Sequence, residues 1–166
     1  MKRVFAILCV LVFGLAAAPD TTRADFPTVG IFEKVVLMPE GLGVAAKVDT
    51  GAENSSIDTL KWQIFDRKGA QWVRFTIELD ENKRADLERP LHRIATIDRA
   101  GSSQERPVVM MKICVGDFAK TVEVNLASRK KLSFRMLVGA SFLKGSYVVD
   151  VSKKYLTTPD CKGGAQ

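Results

Sequence analysis

With 166 residues, 46% apolar and 27% charged, the chain has the make-up of one globular domain with enough apolar material for a core, which excludes wholesale disorder. The net charge of +6 is scattered over Lys83-Arg84, Arg89, Arg93, Arg129-Lys130-Lys131 and Lys153-Lys154, each cluster broken by acidic or apolar residues. No aromatic residues interleave with these charges, so they read as a solvated surface and no nucleic-acid partner is expected.

Lys2 and Arg3 open the chain, and Val4 to Ala18 is an almost unbroken apolar run of about 15 residues that leads to Thr22-Arg23-Ala24. This three-part order predicts a secretory signal peptide over 1–24, with cleavage after Ala24, and a periplasmic or secreted domain over 25–166. Cleavage after Ala18 or an uncleaved N-terminal anchor are the alternatives. The run is shorter than the ~20 residues of a spanning helix, and no second long run follows, so no stable membrane insertion is expected after cleavage. Loss of three cations (Lys2, Arg3, Arg23) and one anion (Asp20) takes the charge from +6 to +4. Cys9 leaves with the signal. Cys114 and Cys161 either form one disulfide, as export permits, or leave Cys114 as a buried thiol in its apolar strand.

Beyond the signal the chain reads as short strands. Val29–Leu37 is the first, ended by Met38-Pro39-Glu40-Gly41, and Leu42–Val48 is the second. Ser56–Phe65 and Gln71–Leu79 flank the turn Asp66-Arg67-Lys68-Gly69 as a hairpin. The highly charged residues 80–90 are expected to be an exposed connector. Leu91–Ile97 is a strand, followed by a polar tip containing Gly101. Pro107–Val115 and Ala119–Leu126 form a second hairpin about Gly116-Asp117, and Arg135–Gly139 and Tyr147–Val151 supply the last strands. Helix is expected only near Ser141–Leu143 and at 128–132. Short strands at close spacing predict an all-β closed barrel with a short helical turn near its C-terminal part.

The chemistry is expected at Lys47-Val48-Asp49-Thr50-Gly51-Ala52. Asp49 follows an apolar strand that would bury its base. Thr50 can hydrogen-bond to a facing loop. Gly51, without a Cβ, permits an unusual φ and lets its N–H approach the carboxylate. Alone, Asp-Thr-Gly also suits an ordinary turn. The surrounding pattern adds weight: Glu53-Asn54-Ser55-Ser56-Ile57 continues the loop from polar to apolar, and Leu137-Val138-Gly139 follows about 85 residues later. Between them lies a hairpin whose polar tip could act as a flap. An acid pair needs two carboxylates sharing one proton. Since only one Asp-Thr-Gly occurs, a two-fold homodimer is expected, with Asp49 of each copy facing across the axis and titrating as one coupled unit.

In this order the segments resemble a retroviral-type protease subunit. More closely, Lys47-Val-Asp-Thr-Gly-Ala, Trp72-Val-Arg-Phe-Thr, Arg106-Pro-Val and Phe134-Arg-Met-Leu-Val-Gly resemble a bacterial family of retropepsin-like aspartic endopeptidases, also labelled ATP-dependent zinc proteases, over roughly residues 30–157. The resemblance implies a retropepsin-like barrel, with Asp49, Thr50 and Gly51 as the catalytic loop. Ala52 and the flap residues Arg99, Ala100, Gly101 and Ser102 would contact a peptide or protein substrate, and Leu137, Val138 and Gly139 would support the loop. The chain departs from the family at Ala140, where Arg is usual, and at Asn54-Ser55, where a basic residue and Thr are usual. There is no His-Glu-x-x-His, His92 is the single histidine, and no Gly-rich nucleotide loop occurs, so neither metal nor cofactor is expected. An exported peptide-binding module without catalysis, or an assembly protein of the cell envelope, are the competing readings.

Overall fold

The computed structural model describes residues 25–80, 83–99 and 102–161. The expected signal peptide and the flap-tip residues Ala100 and Gly101 lie outside these. The strands are β1 (Thr28–Gly30), β2 (Phe32–Met38), β3 (Leu42–Val48), β4 (Ser55–Arg67), β5 (Ala70–Asp80), β6 (Lys83–Pro90), β7 (Arg93–Arg99), β8 (Ser102–Val115), β9 (Phe118–Ala127), β10 (Met136–Val138) and β11 (Val148–Asp150), and one short helix, α1, covers Ala140–Leu143. The fold is nearly all-β, as expected.

Six strands close a ring in the order β10, β3, β2, β8, β9, β4 and back to β10. The closing pieces are short. β10 runs parallel to β3, with Val138 opposite Val48, and antiparallel to β4, with Met136 opposite Ile57. Alternation drives the wall: Val44, Ala46 and Val48 of β3 and Val35 and Leu37 of β2 point inward, where they meet Ile57, Val109, Met111, Ile113, Val124 and Met136. Fully burying each of the side chains larger than Ala46 is worth about 1.5–3 kcal/mol.

β4 continues beyond the ring. A register shift between Thr59 and Lys61 turns its outer half into a hairpin with β5, and β6 pairs with β5 on the far side. Residues 83–90, expected to be a connector, are therefore a strand. Their charges pair across the sheet, with Glu88 beside Arg67 and Arg74, Arg84 beside Glu78, and Asp86 accepting from the Thr76 hydroxyl, while Leu87 faces the core. A charged edge also protects a sheet from pairing with other chains. Two further expectations change. The run 29–37 breaks at Ile31 into β1 and β2, because β1 pairs in parallel with β11 instead. Residues 128–132 form a turn, closed by the Leu132 amide on the Arg129 carbonyl, not a helix.

The C-terminal segment lies against the barrel. Glu33, buried on the inner face of β2, accepts from the amides of Gly30, Leu156 and Thr157 and from the Thr157 hydroxyl, so no lone charge is left in the core. Cys114 and Cys161 are joined in a disulfide with Cα atoms 6.1 Å apart, which resolves the two alternatives for the cysteines. Among the described residues no helix is long and apolar enough to cross a membrane.

Candidate active site

Asp49 stands at the exit of β3, where the strand is gripped from both sides. The Val48 amide donates to the Ile31 carbonyl and the Asp49 amide to the Val138 carbonyl, each at 2.9 Å. The Gly51 amide then turns back to Asp49 Oδ1 at 3.0 Å, and the Ala52 amide reaches the Asp49 carbonyl at 3.3 Å. Asp49 is half-buried, Thr50 and Gly51 are exposed, and Ala52 is half-buried. Gly51 serves through its close amide and not through an unusual φ: its backbone is not left-handed, and an added Cβ would lie 3.4 Å from Asp49 Oδ1, an ordinary contact.

Leu137, Val138 and Gly139 come to this loop as expected. Leu137 is opposite Lys47 and Val138 opposite Val48. The Gly139 amide donates to Ser55 Oγ at 3.1 Å, while Ala140 and Ser141 donate to the carbonyls of Ala52 and Glu53 at 2.7 and 2.9 Å. The backbone amides at the start of α1 thus tie it to the loop, with Ala140 at the position where Arg is expected from the resemblance. Thr50 lines a shallow surface depression together with Ala140, Leu143 and Tyr147.

A groove of about 510 Å³ opens at Asp49. Its apolar walls include Ile31, Phe32, Phe134 and Leu137, with the rings of Phe32 and Phe134 stacked 4.3 Å apart. Its charged groups are Asp49, Lys47 and Arg129. β7 and β8 form a hairpin where the flap is expected, in register from Arg93 opposite Val108 to Arg99 opposite Ser102. Arg99 and Ser102 are thus the last paired backbone positions on either side of the tip.

Sequence reading missed the ionic support beneath the groove. Arg129 belongs to a cluster read as solvated, yet only Lys130 and Lys131 are exposed and Arg129 is 8% exposed. Its Nε donates to the Phe134 carbonyl and its Nη1 to Ser56 Oγ, both at 3.0 Å. Burial pushes the guanidinium below the usual arginine range; the carboxylates of Asp58 and Asp49 oppose that shift and Arg106 adds to it. Asp58, fully buried, accepts from the Arg129 amide at 2.6 Å and from Arg135 Nη1 at 2.8 Å. Arg135 in turn reaches Glu78 at 3.1 Å. The one sequence hint was Arg135, inside the Phe134-to-Gly139 motif; its partners lie too far along the chain for spacing to reveal them.

The zinc label of the family does not fit these residues. Among the described residues no group of three His, Cys, Asp or Glu side chains is placed to hold a metal ion, and His92 faces Glu123.

The fold recurs in a crystal structure of a Legionella pneumophila protein of unknown function, with a TM-score of 0.68 and 27% identity, covering 80% of this chain and 98% of that one. Two curated relatives, from Shewanella pealeana and Shewanella halifaxensis, are each 31% identical over 118 residues, or 68% of this chain, and are named probable alpha-L-glutamate ligases. The chain spans about a quarter of their length, so the ligase name describes much larger proteins. A family model described as "RimB-like: Retropepsin-like aspartic endopeptidase RimB" matches residues 28–160. That match takes in the whole barrel, the Asp49 loop and its β10 support: the chain belongs to the RimB-like family of retropepsin-like aspartic endopeptidases.

Proposed function

We propose that this protein is an exported aspartic-type endopeptidase that works as a homodimer, hydrolysing peptide or related amide bonds between two Asp49 carboxylates. The observation that carries the reading is the setting of Asp49: its backbone amide is anchored on the Val138 carbonyl, and its half-buried carboxylate, at a groove, accepts from the Gly51 amide. Such rigidity is what an acid/base residue needs.

Each chain brings one Asp49, so the second carboxylate comes from the second copy, with the Thr50 side chains contacting the opposite loop. A water held between the pair loses a proton to the ionised Asp49 as its oxygen bonds to the scissile carbonyl carbon. The protonated Asp49 gives its proton to the carbonyl oxygen. Collapse of the tetrahedral intermediate breaks the C–N bond: the departing nitrogen takes the proton gained by one Asp49, and a hydroxyl of the intermediate returns its proton to the other, which restores the pair. The β7–β8 hairpin closes over the substrate and excludes bulk water. Lys47 and Arg129 in the groove favour an acidic peptide, in keeping with relatives named probable alpha-L-glutamate ligases. Export rests on the composition of residues 1–24.

The test is turnover of glutamate-rich and neutral peptides by purified protein. Wild type is expected to cleave the acidic set, and Asp49→Asn to lose roughly 10²–10⁴-fold or more while melting at the same temperature. Peptide binding without cleavage by wild type would instead make the chain a binding module. Undiminished turnover by Asp49→Asn would remove the mechanism.

A further inference from the structure

One carboxylate joins parts of the molecule that the sequence keeps apart. Glu123, in β9, accepts from Asn54 Nδ2 at 2.9 Å, from Arg93 Nε at 3.3 Å and more closely from Arg93 Nη2, and His92 Nε2 lies 3.2 Å from its Oε1. Asn54 belongs to the active-site loop. Its carbonyl group, together with that of Ala52, leaves no room for a side chain on Gly139, and its neighbour Glu53 accepts from Ser141. His92 and Arg93 are the root of the β7–β8 hairpin: the His92 amide donates to the Val108 carbonyl, and Arg93 pairs with Val108.

We propose that Glu123 is a positioning residue that couples the root of the β7–β8 hairpin to the Asp49 loop, so that the set of the hairpin and the shape of the loop are fixed together. The proposal rests on the reading above, in which that hairpin closes over the groove. A carboxylate suits the task because it only accepts, and every group facing it here donates. Glutamine in its place would turn an amide N–H₂ toward Arg93 or Asn54 and satisfy one side at most. The hydrogen bond and charge of Arg93 hold the Glu123 carboxyl below the usual range, against the opposing effect of burial, so the link is intact at neutral pH.

Hydrogen exchange on the free protein tests this without any substrate. The reporting amides are Gly51, Ala52, Ala140 and Ser141 at the loop and His92 at the hairpin root. Arg93→Ala is expected to speed exchange at the loop amides about tenfold, Asn54→Ala to do the same at His92, and Glu123→Gln to do both, with β2 and β3 core amides unchanged. The double variant Arg93→Ala/Asn54→Ala should go no further than Glu123→Gln. In turnover, Glu123→Gln is expected to lower kcat about tenfold with little change in KM. Loop amides that ignore Arg93→Ala would overturn the coupling, as would acceleration spread evenly over the core. A wild type that cleaves nothing would sink the peptidase reading and leave the exchange result to decide this one.

Discussion

A Cβ placed on Gly139 would stand 2.6 Å from the carbonyl carbon of Asn54, closer than real side chains come to backbone. The two residues are 85 positions apart, yet they fix the distance between the Asp49 loop and the strand that supports it. Gly139→Ala should therefore push the loop away from β10 and disturb the Asp49–Val138 hydrogen bond. The expected cost is about 1–3 kcal/mol of stability, read by urea unfolding, with a disproportionate loss of turnover. A stable, fully active Gly139→Ala protein would show that the loop tolerates a shift.

Asp58 is fully buried and serves two partners, the Arg129 amide and the Arg135 guanidinium. Removing it leaves the buried Arg129 amide without its acceptor and Arg135 with Glu78 as its remaining acidic partner. Asp58→Ala is expected to lose about 3–5 kcal/mol, among the largest single effects in the chain. Chemical denaturation would measure it, and a loss under 1 kcal/mol would mean that water or a rearranged Arg135 takes over.

Closing a loop with a sequence separation of 47 residues, the disulfide restricts the unfolded chain more than the folded one. Cys161→Ser should lower stability by about 2–4 kcal/mol. Because the strap also hangs on Glu33, local exchange near Leu156 and Thr157 is expected to rise only modestly in that variant.

Stability should fall at both ends of the pH scale. Glu88, held low by Arg67 and Arg74, and Glu123, held low by Arg93, have folded values beneath their unfolded ones. Their contribution is full above the ordinary glutamate value of about 4.3 and is lost as pH falls through the folded values. Tyr147 moves the other way: burial, helped by the charges of Asp117 and Glu33, pushes its phenol up to about 12, and its hydroxyl donates to the Val115 carbonyl. Its contribution is complete below about pH 10 and disappears as pH rises through the folded value. Melting temperatures across pH 3 to 12 should be flat in the middle and lower at each end, and Tyr147→Phe should weaken the alkaline limb.

The Asp49 loop and its support were legible because each is a local event: an alternating strand that ends in a small polar turn, and two apolar residues before a glycine. The ring of strands followed from period-2 burial. β6 was hidden because the charges of 83–90 look like solvated chain until Arg74 and Glu78 are set opposite them. Arg129 was hidden for a similar reason. Nothing near it in sequence announces burial, since Ser56 and Asp58, which make burial tolerable, lie more than 70 residues upstream. Gly51 was found for a reason only half right: its amide matters and its φ does not.

The ring is completed by three residues, Met136 to Val138, slotted between strands made some 80 to 90 positions earlier. During synthesis, β3 leaves the ribosome with one flank unsatisfied and the inner half of β4 with two, one later filled by β9, and the last gap waits for most of the chain. A nascent chain halted before residue 136 carries two open templates for intermolecular strand addition. Barrel closure by so distant a piece makes for slow maturation, and any stalled or clipped product of this sequence is an aggregation hazard.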